Sequence, residues 1–207
     1  MNEDFEIETG KINLIYFKAR QSFEIYKYFS KQDFISDPFW VHIMYLSFKD
    51  TIIELDKLFS ENKNQKFRIR KLLNKLKKTG QYKNCNLNKR AIEEWESEML
   101  QFTPVIKYIS ELRDKHFAHT DKSDSLGLNT SSVYYRNILN NSEIETLFDF
   151  IKKVMVEIFI QCKKEQLELD LFFYESNISI FKQLNDLSTY RETELNQKLK
   201  EYKKDSV

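Results

Sequence analysis

Apolar residues recur along most of this chain at the three- and four-residue spacing of a helix with one buried face. From about Phe5 to Tyr28 they fall at Ile12, Ile15, Tyr16, Ala19, Phe23 and Tyr26, with Phe29 just beyond. Asp37-Pro38 restarts the chain, with proline where helices accept it, just inside an N-terminus. The helix expected from Phe39 to Phe59 carries Trp40, Ile43, Met44, Leu46, Phe48, Ile52, Ile53, Leu55 and Leu58. It is apolar on most sides, as suits the central helix of a bundle. A short basic helix over about Phe67 to Lys78 turns Ile69, Leu72, Leu73 and Leu76 inward and ends at Thr79-Gly80. Leu87 to His119 reads as one long helix, or two broken near Thr103-Pro104, because proline removes a backbone donor and clashes with the preceding turn. Asp121 to Asn129 is a polar loop. Ser142 with Glu145 three residues on predicts a capping box. It opens a helix through Phe148, Ile151, Val154, Met155, Ile158 and Phe159. From about Leu167 the chain is amphipathic (Leu169, Phe172, Phe173, Ile178, Phe181, Leu184) and then fades into a charged tail.

Three glycines and two prolines in 207 residues reinforce this reading, since a β-rich fold would consume many more in tight turns. The expectation is an all-α helical bundle over residues 1–165 with a C-terminal helical extension and charged tail over 166–207. Cys85 and Cys162 are far apart in sequence and fit no metal-ligand spacing, which predicts two free thiols in a reducing compartment. The acidic N-terminus lacks a secretory pattern, and no apolar run approaches the ~20 residues of a membrane span. A cytoplasmic protein is expected.

Charge is balanced overall, 33 basic against 32 acidic residues, but not locally. Between Glu61 and Glu93 there is no acidic residue, while Lys63, Lys66, Arg68, Arg70, Lys71, Lys75, Lys77, Lys78, Lys83, Lys89 and Arg90 crowd the stretch. One reading is a track for an RNA backbone, with Phe67 and Tyr82 available for stacking. The other is a solvated face balanced by Glu93, Glu94, Glu96 and Glu98. The RNA-binding candidates are Arg68, Arg70, Lys71, Lys75, Lys77 and Lys78, joined by Lys115.

Two of the three histidines sit in Leu112-Arg113-Asp114-Lys115-His116-Phe117-Ala118-His119-Thr120-Asp121. On an ideal helix His116 lies about 60° round from Arg113, and His119 about 60° further. Spacing alone favours the plainer reading, histidine and lysine complementing a helix dipole in a last turn and Arg-Asp-Lys on a solvated face. His42, in an apolar aromatic helix, is expected to be a satisfied core or interface residue. Tyr134-Tyr135-Arg136 follows the polar loop and is a candidate for touching a base, a string that means little alone. Glycine-rich phosphate loops, zinc spacings and serine or cysteine nucleophile signatures are absent from the sequence.

Arg113-Asp114 followed by His119 resembles the R-x4–6-H signature of the HEPN superfamily, where a polar residue commonly follows the arginine. The string LRDKHFAHTD, with FWVHIMYLSFKDTIIELDKLF and KFRIRKLLNKLKK upstream, resembles its abortive-infection, type U-like branch in bacterial phage defence. The resemblance covers about Ile12 to Gln161. It implies a bundle of four to five helices, a homodimer with both motif copies facing one cleft, and RNA cleavage without metal or cofactor. In that chemistry a ribose 2′-hydroxyl attacks the adjacent phosphate and leaves a 2′,3′-cyclic phosphate and a 5′-hydroxyl. His119 would transfer protons, and Arg113 would stabilise the charge of the phosphorane. Asp114 would orient Arg113, and His116 would be helper or bystander. A dimer would supply two motif histidines, one as acid and one as base. An antitoxin or other defence protein is a plausible partner. The branch silenced by a nucleotidyltransferase carries tyrosine two residues after the histidine; here that position is Asp121, so that control is not carried over. Two other readings stand beside this one: a non-catalytic HEPN-like module binding RNA or protein, and a structural bundle docking through Leu167 to Leu187.

Overall fold

A computed structural model describes residues 3–31, 38–62, 64–85, 87–118, 139–165 and 167, and in the C-terminal part 183, 186–187, 189–198 and 200. The chain divides into two compact units, Met1–Leu167 and Glu168–Val207. In the second, the described residues are helical, and Leu187, Tyr190 and Leu195 are exposed. The polar loop at 121–129, Tyr134-Tyr135-Arg136 and most of the amphipathic stretch after Leu167 lie outside the described residues.

The first unit is all-α, with no strand among its described residues. Its helices are α1 (Glu3–Lys31), α2 (Pro38–Phe59), α3 (Ile69–Leu76), α4 (Lys89–Gln101), α5 (Thr103–Leu112) and α6 (Asn141–Ile158). π-helical turns continue α5 over Arg113–Ala118 and α6 over Phe159–Lys163. No described helix is long and apolar enough to cross a membrane.

The spine is an antiparallel pair. Phe29 stacks on Trp40 at 4.8 Å, Tyr26 meets Phe48 at 4.9 Å and Ser22 donates to Asp50, so the partners run in opposite order along α1 and α2. Glu3, Asp4 and Glu6 in the first turn of α1 complement its dipole. The expected α1 stripe is buried except Ile15, which is half-buried. α6 also lies antiparallel to α1, with Arg20 and Lys27 at Glu145 near its start and Glu6 at Lys163 beyond its end, and its Phe150 reaches Phe59 of α2. Phe148 is the hinge of the contact with α1, edge-on to Tyr16 at 5.7 Å, 5.5 Å from Phe23, and covered by the Arg20 guanidinium at 5.1 Å.

Two expectations shift in detail. The helix after the polar loop starts two residues early. Asn140, not Ser142, is the cap, and Glu143, not Glu145, closes the capping box. Glu145 is engaged elsewhere: Arg20 and Lys27 of α1 both donate to it. α2 is enclosed on most sides only in its C-terminal half. Its N-terminal half leaves Phe39, Leu46 and His42 exposed, so His42 is not a core residue.

The break at Thr103-Pro104 is present, with Pro104 in the first turn of α5, where its missing N–H costs nothing. The expected inner face of α3, Ile69, Leu72, Leu73 and Leu76, is wholly buried. Gly80 follows because the backbone folds back on α3: a Cβ there would meet the Lys75 carbonyl oxygen at 2.2 Å. The same fold-back lets Tyr82 N–H donate to that carbonyl at 2.7 Å.

Glu145 carries a pH-dependent part of the stability. Burial alone would push its carboxyl up, but the hydrogen bonds from Lys27 and Arg20, and their charges, outweigh this and hold it below the usual range. A carboxyl depressed on folding stabilises above its unfolded value, about 4.3 for glutamate, and that contribution is lost as pH falls through the folded value. Glu145→Gln is expected to lower stability by about 1 kcal/mol near neutrality, a partly exposed network being worth no more. Urea denaturation of both proteins at about pH 7 and about pH 2 checks this: the gap should close in acid.

Candidate active site

The C-terminal end of α5 is fastened to α2 by polar and apolar contacts. On the polar side, Asp56 of α2 is 1% exposed and points its carboxylate at α5. Its Oδ1 accepts from Ser110 Oγ at 2.6 Å, and its Oδ2 lies 3.1 Å from Arg113 Nη1. Ser110 and Arg113 are three residues apart, hence on one helix face, and the single carboxylate takes both. On the apolar side, Phe117 is buried and set edge-on to Tyr45 at 6.0 Å and Phe48 at 6.3 Å, both on α2.

Between these fastenings the helix widens into the π turn Arg113–Ala118. A helix bonded i to i+5 winds less per residue than an α-helix, so angles counted on an ideal α-helix do not hold here. The 60° step expected from Arg113 to His116 is therefore replaced by a different register. π turns are frequent at functional sites.

Arg113 is 30% exposed at its side chain. Besides Asp56, it engages its neighbour Asp114 through Nη2, and Asp114 is itself exposed. Arg113 Nε is buried without a partner among the described residues. The guanidinium is thus gripped from inside by a buried carboxylate and from outside by a solvated one. Nε–H is closed off, while the contact of Nη2 with Asp114 is exposed, and at that edge a phosphate oxygen can be received. His119 lies outside the described residues, and for Lys115 and His116 the backbone alone is described.

Sequence reasoning missed Asp56 and Ser110. The signal is present in retrospect: Ile52, Leu55, Asp56 and Phe59 fall on one helical stripe, and all four are buried. A carboxylate in that stripe demands a partner.

The basic stretch divides. Arg68 donates to the Ser60 carbonyl at 3.0 Å, Arg70 pairs with Glu61 at 2.8 Å and Lys77 with Glu96 at 2.6 Å. Lys75 is a structural cation. It lies 2.5 Å from Glu8, a carboxylate 4% exposed on α1, which also accepts from Tyr82 at 2.6 Å. Burial, then donation to anionic Glu8, pushes the Tyr82 phenol well above its ordinary value, so it stays protonated and buried rather than free to stack. Lys71 and Lys78 enter no ion pair among the described residues.

The cysteines, distant in sequence, meet in space: the Cys162 thiol lies 3.4 Å from the Cys85 carbonyl oxygen, and both are free. Burial first, and then its neighbour Cys85, push the Cys162 thiol up, which suits a packing residue rather than a nucleophile. Among the described residues, no three His, Cys, Asp or Glu side chains gather as a metal-binding group.

A family model, HEPN_AbiU2 (AbiU2), matches residues 35–160. The match begins later than the Ile12 expected from sequence, so α1 lies outside it. It spans Asp56, Ser110 and Arg113 and the positions of His116 and His119. No curated protein and no solved structure matches the chain.

The division of the lysines is testable by stability. Lys75→Ala leaves Glu8 buried beside only a neutral phenol and is expected to cost about 2–3 kcal/mol. Lys71→Ala and Lys78→Ala are expected to stay within about 0.5 kcal/mol of the unsubstituted protein in the same urea titration.

Proposed function

The chain belongs to the AbiU2 family of HEPN proteins, and we propose that it is a metal-independent endoribonuclease of a bacterial phage-defence or toxin–antitoxin system. The observation that carries the reading is Arg113, held at the end of α5 by a buried and an exposed carboxylate with part of its guanidinium open to solvent. A guanidinium fixed in this way meets the first need of phosphodiester cleavage, a directed donor pair for the charge that builds on phosphate.

In this reading RNA lies across the π turn with its scissile phosphate against Arg113. A motif histidine takes the proton of the ribose 2′-hydroxyl, whose oxygen attacks phosphorus. A second motif histidine gives a proton to the departing 5′-oxygen. The products are a 2′,3′-cyclic phosphate and a 5′-hydroxyl. His119 is the proton-transfer residue, and a homodimer supplies the second copy. Asp114 orients Arg113 from the solvent side, and His116 is a helper or a bystander. Lys115, Lys71 and Lys78, with Arg70, Lys75 and Lys77 where their ion pairs open and Arg68 where its bond to the Ser60 carbonyl opens, form the surface that draws in the RNA backbone. Residues 166–207 form a helical extension. An antitoxin or other defence protein keeps the nuclease silent, and the reaction belongs in the cytoplasm, where its RNA substrate is.

The second reading is a non-catalytic HEPN-like module that binds RNA or protein. It is favoured by the two carboxylates that already occupy Arg113 and by the ion pairs that occupy Arg70, Lys75 and Lys77, three of the six candidate cations on and around α3.

Cleavage of RNA in EDTA by the purified full chain separates the two. The expected result is products ending in 2′,3′-cyclic phosphate, with the rate lowered by on the order of 100-fold or more in both Arg113→Ala and His119→Ala. Binding without cleavage by a folded, dimeric protein supports the module. Cleavage surviving in both variants contradicts the assignment of these residues.

A further inference from the structure

We propose that Asp56 is a positioning residue for Arg113, and that Ser110, Asp56 and Arg113 act as one relay from the core of α2 to the phosphate-binding guanidinium. The inference rests on the functional reading above and adds to it a residue more than fifty positions before the motif.

Three observations carry it. Asp56 is the most deeply buried carboxylate among the described residues, at 1% exposure, in a stripe otherwise apolar. An ionised carboxylate taken that far out of water is tolerated only when its oxygens are paired and hydrogen-bonded. Both are: Ser110 Oγ donates to Oδ1 at 2.6 Å, and Arg113 Nη1 lies 3.1 Å from Oδ2. The third is directional. Asp114, the other partner of Arg113, is 57% exposed on the solvent side and fixes the guanidinium weakly. The fixed end is therefore Asp56, itself held by the Ser110 hydroxyl and by α2.

The consequence is geometric. A free arginine side chain samples many rotamers, and a donor pair aimed at developing charge helps only if it need not reorganise during the reaction. Asp56 takes one Nη1 donor and so selects the orientation in which the outward donors face the surface beside the π turn. It does not touch RNA. Asp56→Asn keeps an acceptor for Ser110 but removes the charge, and it can turn an amide N–H₂ toward the guanidinium. Asp56→Glu keeps the charge at the wrong reach. Ser110→Ala leaves the ion pair but frees the carboxylate to rotate.

The test combines kinetics with a direct view of the guanidinium. In single-turnover RNA cleavage by the full chain, Asp56→Asn is expected to lower the maximal rate on the order of 100-fold, with the RNA concentration at half-maximal rate changed less than about threefold. Ser110→Ala should lose on the order of tenfold, and Asp56→Glu should fall between the two. In parallel, nitrogen-15 arginine spectra, with the Arg113 signals assigned by their loss in Arg113→Lys, should show separate, slowly exchanging Nη resonances in the unsubstituted protein. They should merge in Asp56→Asn. If Asp56→Asn fails to fold, Ser110→Ala carries both readouts.

Full activity in folded Asp56→Asn, beside inactive Arg113→Ala and His119→Ala, overturns the positioning role and leaves the nuclease reading intact. An equal rise in the half-maximal RNA concentration with an unchanged maximal rate also overturns it, because that is loss of plain binding. If no protein cleaves RNA, the nuclease reading is what fails, and the spectra decide the relay. Merged Nη resonances in the unsubstituted protein overturn it, and resonances that are resolved there and merge in Asp56→Asn uphold it.

Discussion

Burying a carboxylate costs several kcal/mol unless its oxygens are paired, and α2 buries one at Asp56 in the middle of its most enclosed turn. Everything at the end of α5 follows from how that cost is met. Ser110 and Arg113 must present a hydroxyl and a guanidinium to the same point, which sets the rotation of α5 about its axis. That rotation in turn brings Phe117, four residues past Arg113, into the aromatic seat between Tyr45 and Phe48. The π turn sits between a polar and an apolar fastening, and its wider winding accommodates both. Removing Arg113 would leave the buried Asp56 charge with Ser110 alone, so fold and candidate chemistry meet in one contact.

The rest of the unit holds α2 steady. α1 lies along it, and α6 closes on α1 through Phe148 and through Glu145, which gathers Arg20 and Lys27. α3 is anchored by Lys75 and Tyr82 to Glu8, a second buried carboxylate paired across more than sixty residues. The same device serves at Glu8 and at Asp56. Exposure does not separate the two cations, 25% for the Lys75 side chain and 30% for that of Arg113; what separates them is that Arg113 also reaches a solvated carboxylate, Asp114, at the helix surface.

Periodicity made the helices legible. The apolar stripes of α1, α3 and α6 are buried almost residue for residue, and Pro104 marked the break between α4 and α5. The cap of α6 was misplaced because Asn140-x-x-Glu143 and Ser142-x-x-Glu145 satisfy the same local pattern, and only the pull of Arg20 and Lys27 on Glu145 separates them. Long-range pairing of this kind is invisible along the chain. It also bears on the basic stretch: Glu96, one of the balancing residues expected from sequence, takes Lys77, while Glu8 arrives unforeseen from α1 to take Lys75. His42 read as a core or interface residue from its apolar neighbours; its exposure removes the core half of that reading, because α2 is enclosed only in its C-terminal half. Arg113 and Asp114 were legible through resemblance to a motif. Asp56 was not, although its intrusion into an apolar stripe was the physical signal.

The central claim is that the guanidinium at the end of α5 serves an attack by a ribose 2′-hydroxyl. The most direct test is to map the preferred cleavage position in a short RNA and then replace only that nucleotide by its 2′-deoxy counterpart. The account predicts that cleavage at that bond disappears while neighbouring sites and binding are retained, because the nucleophile has been removed and nothing else. Continued cleavage at the deoxy position would mean that water or another group attacks the phosphate, and would contradict the mechanism built on Arg113 and His119.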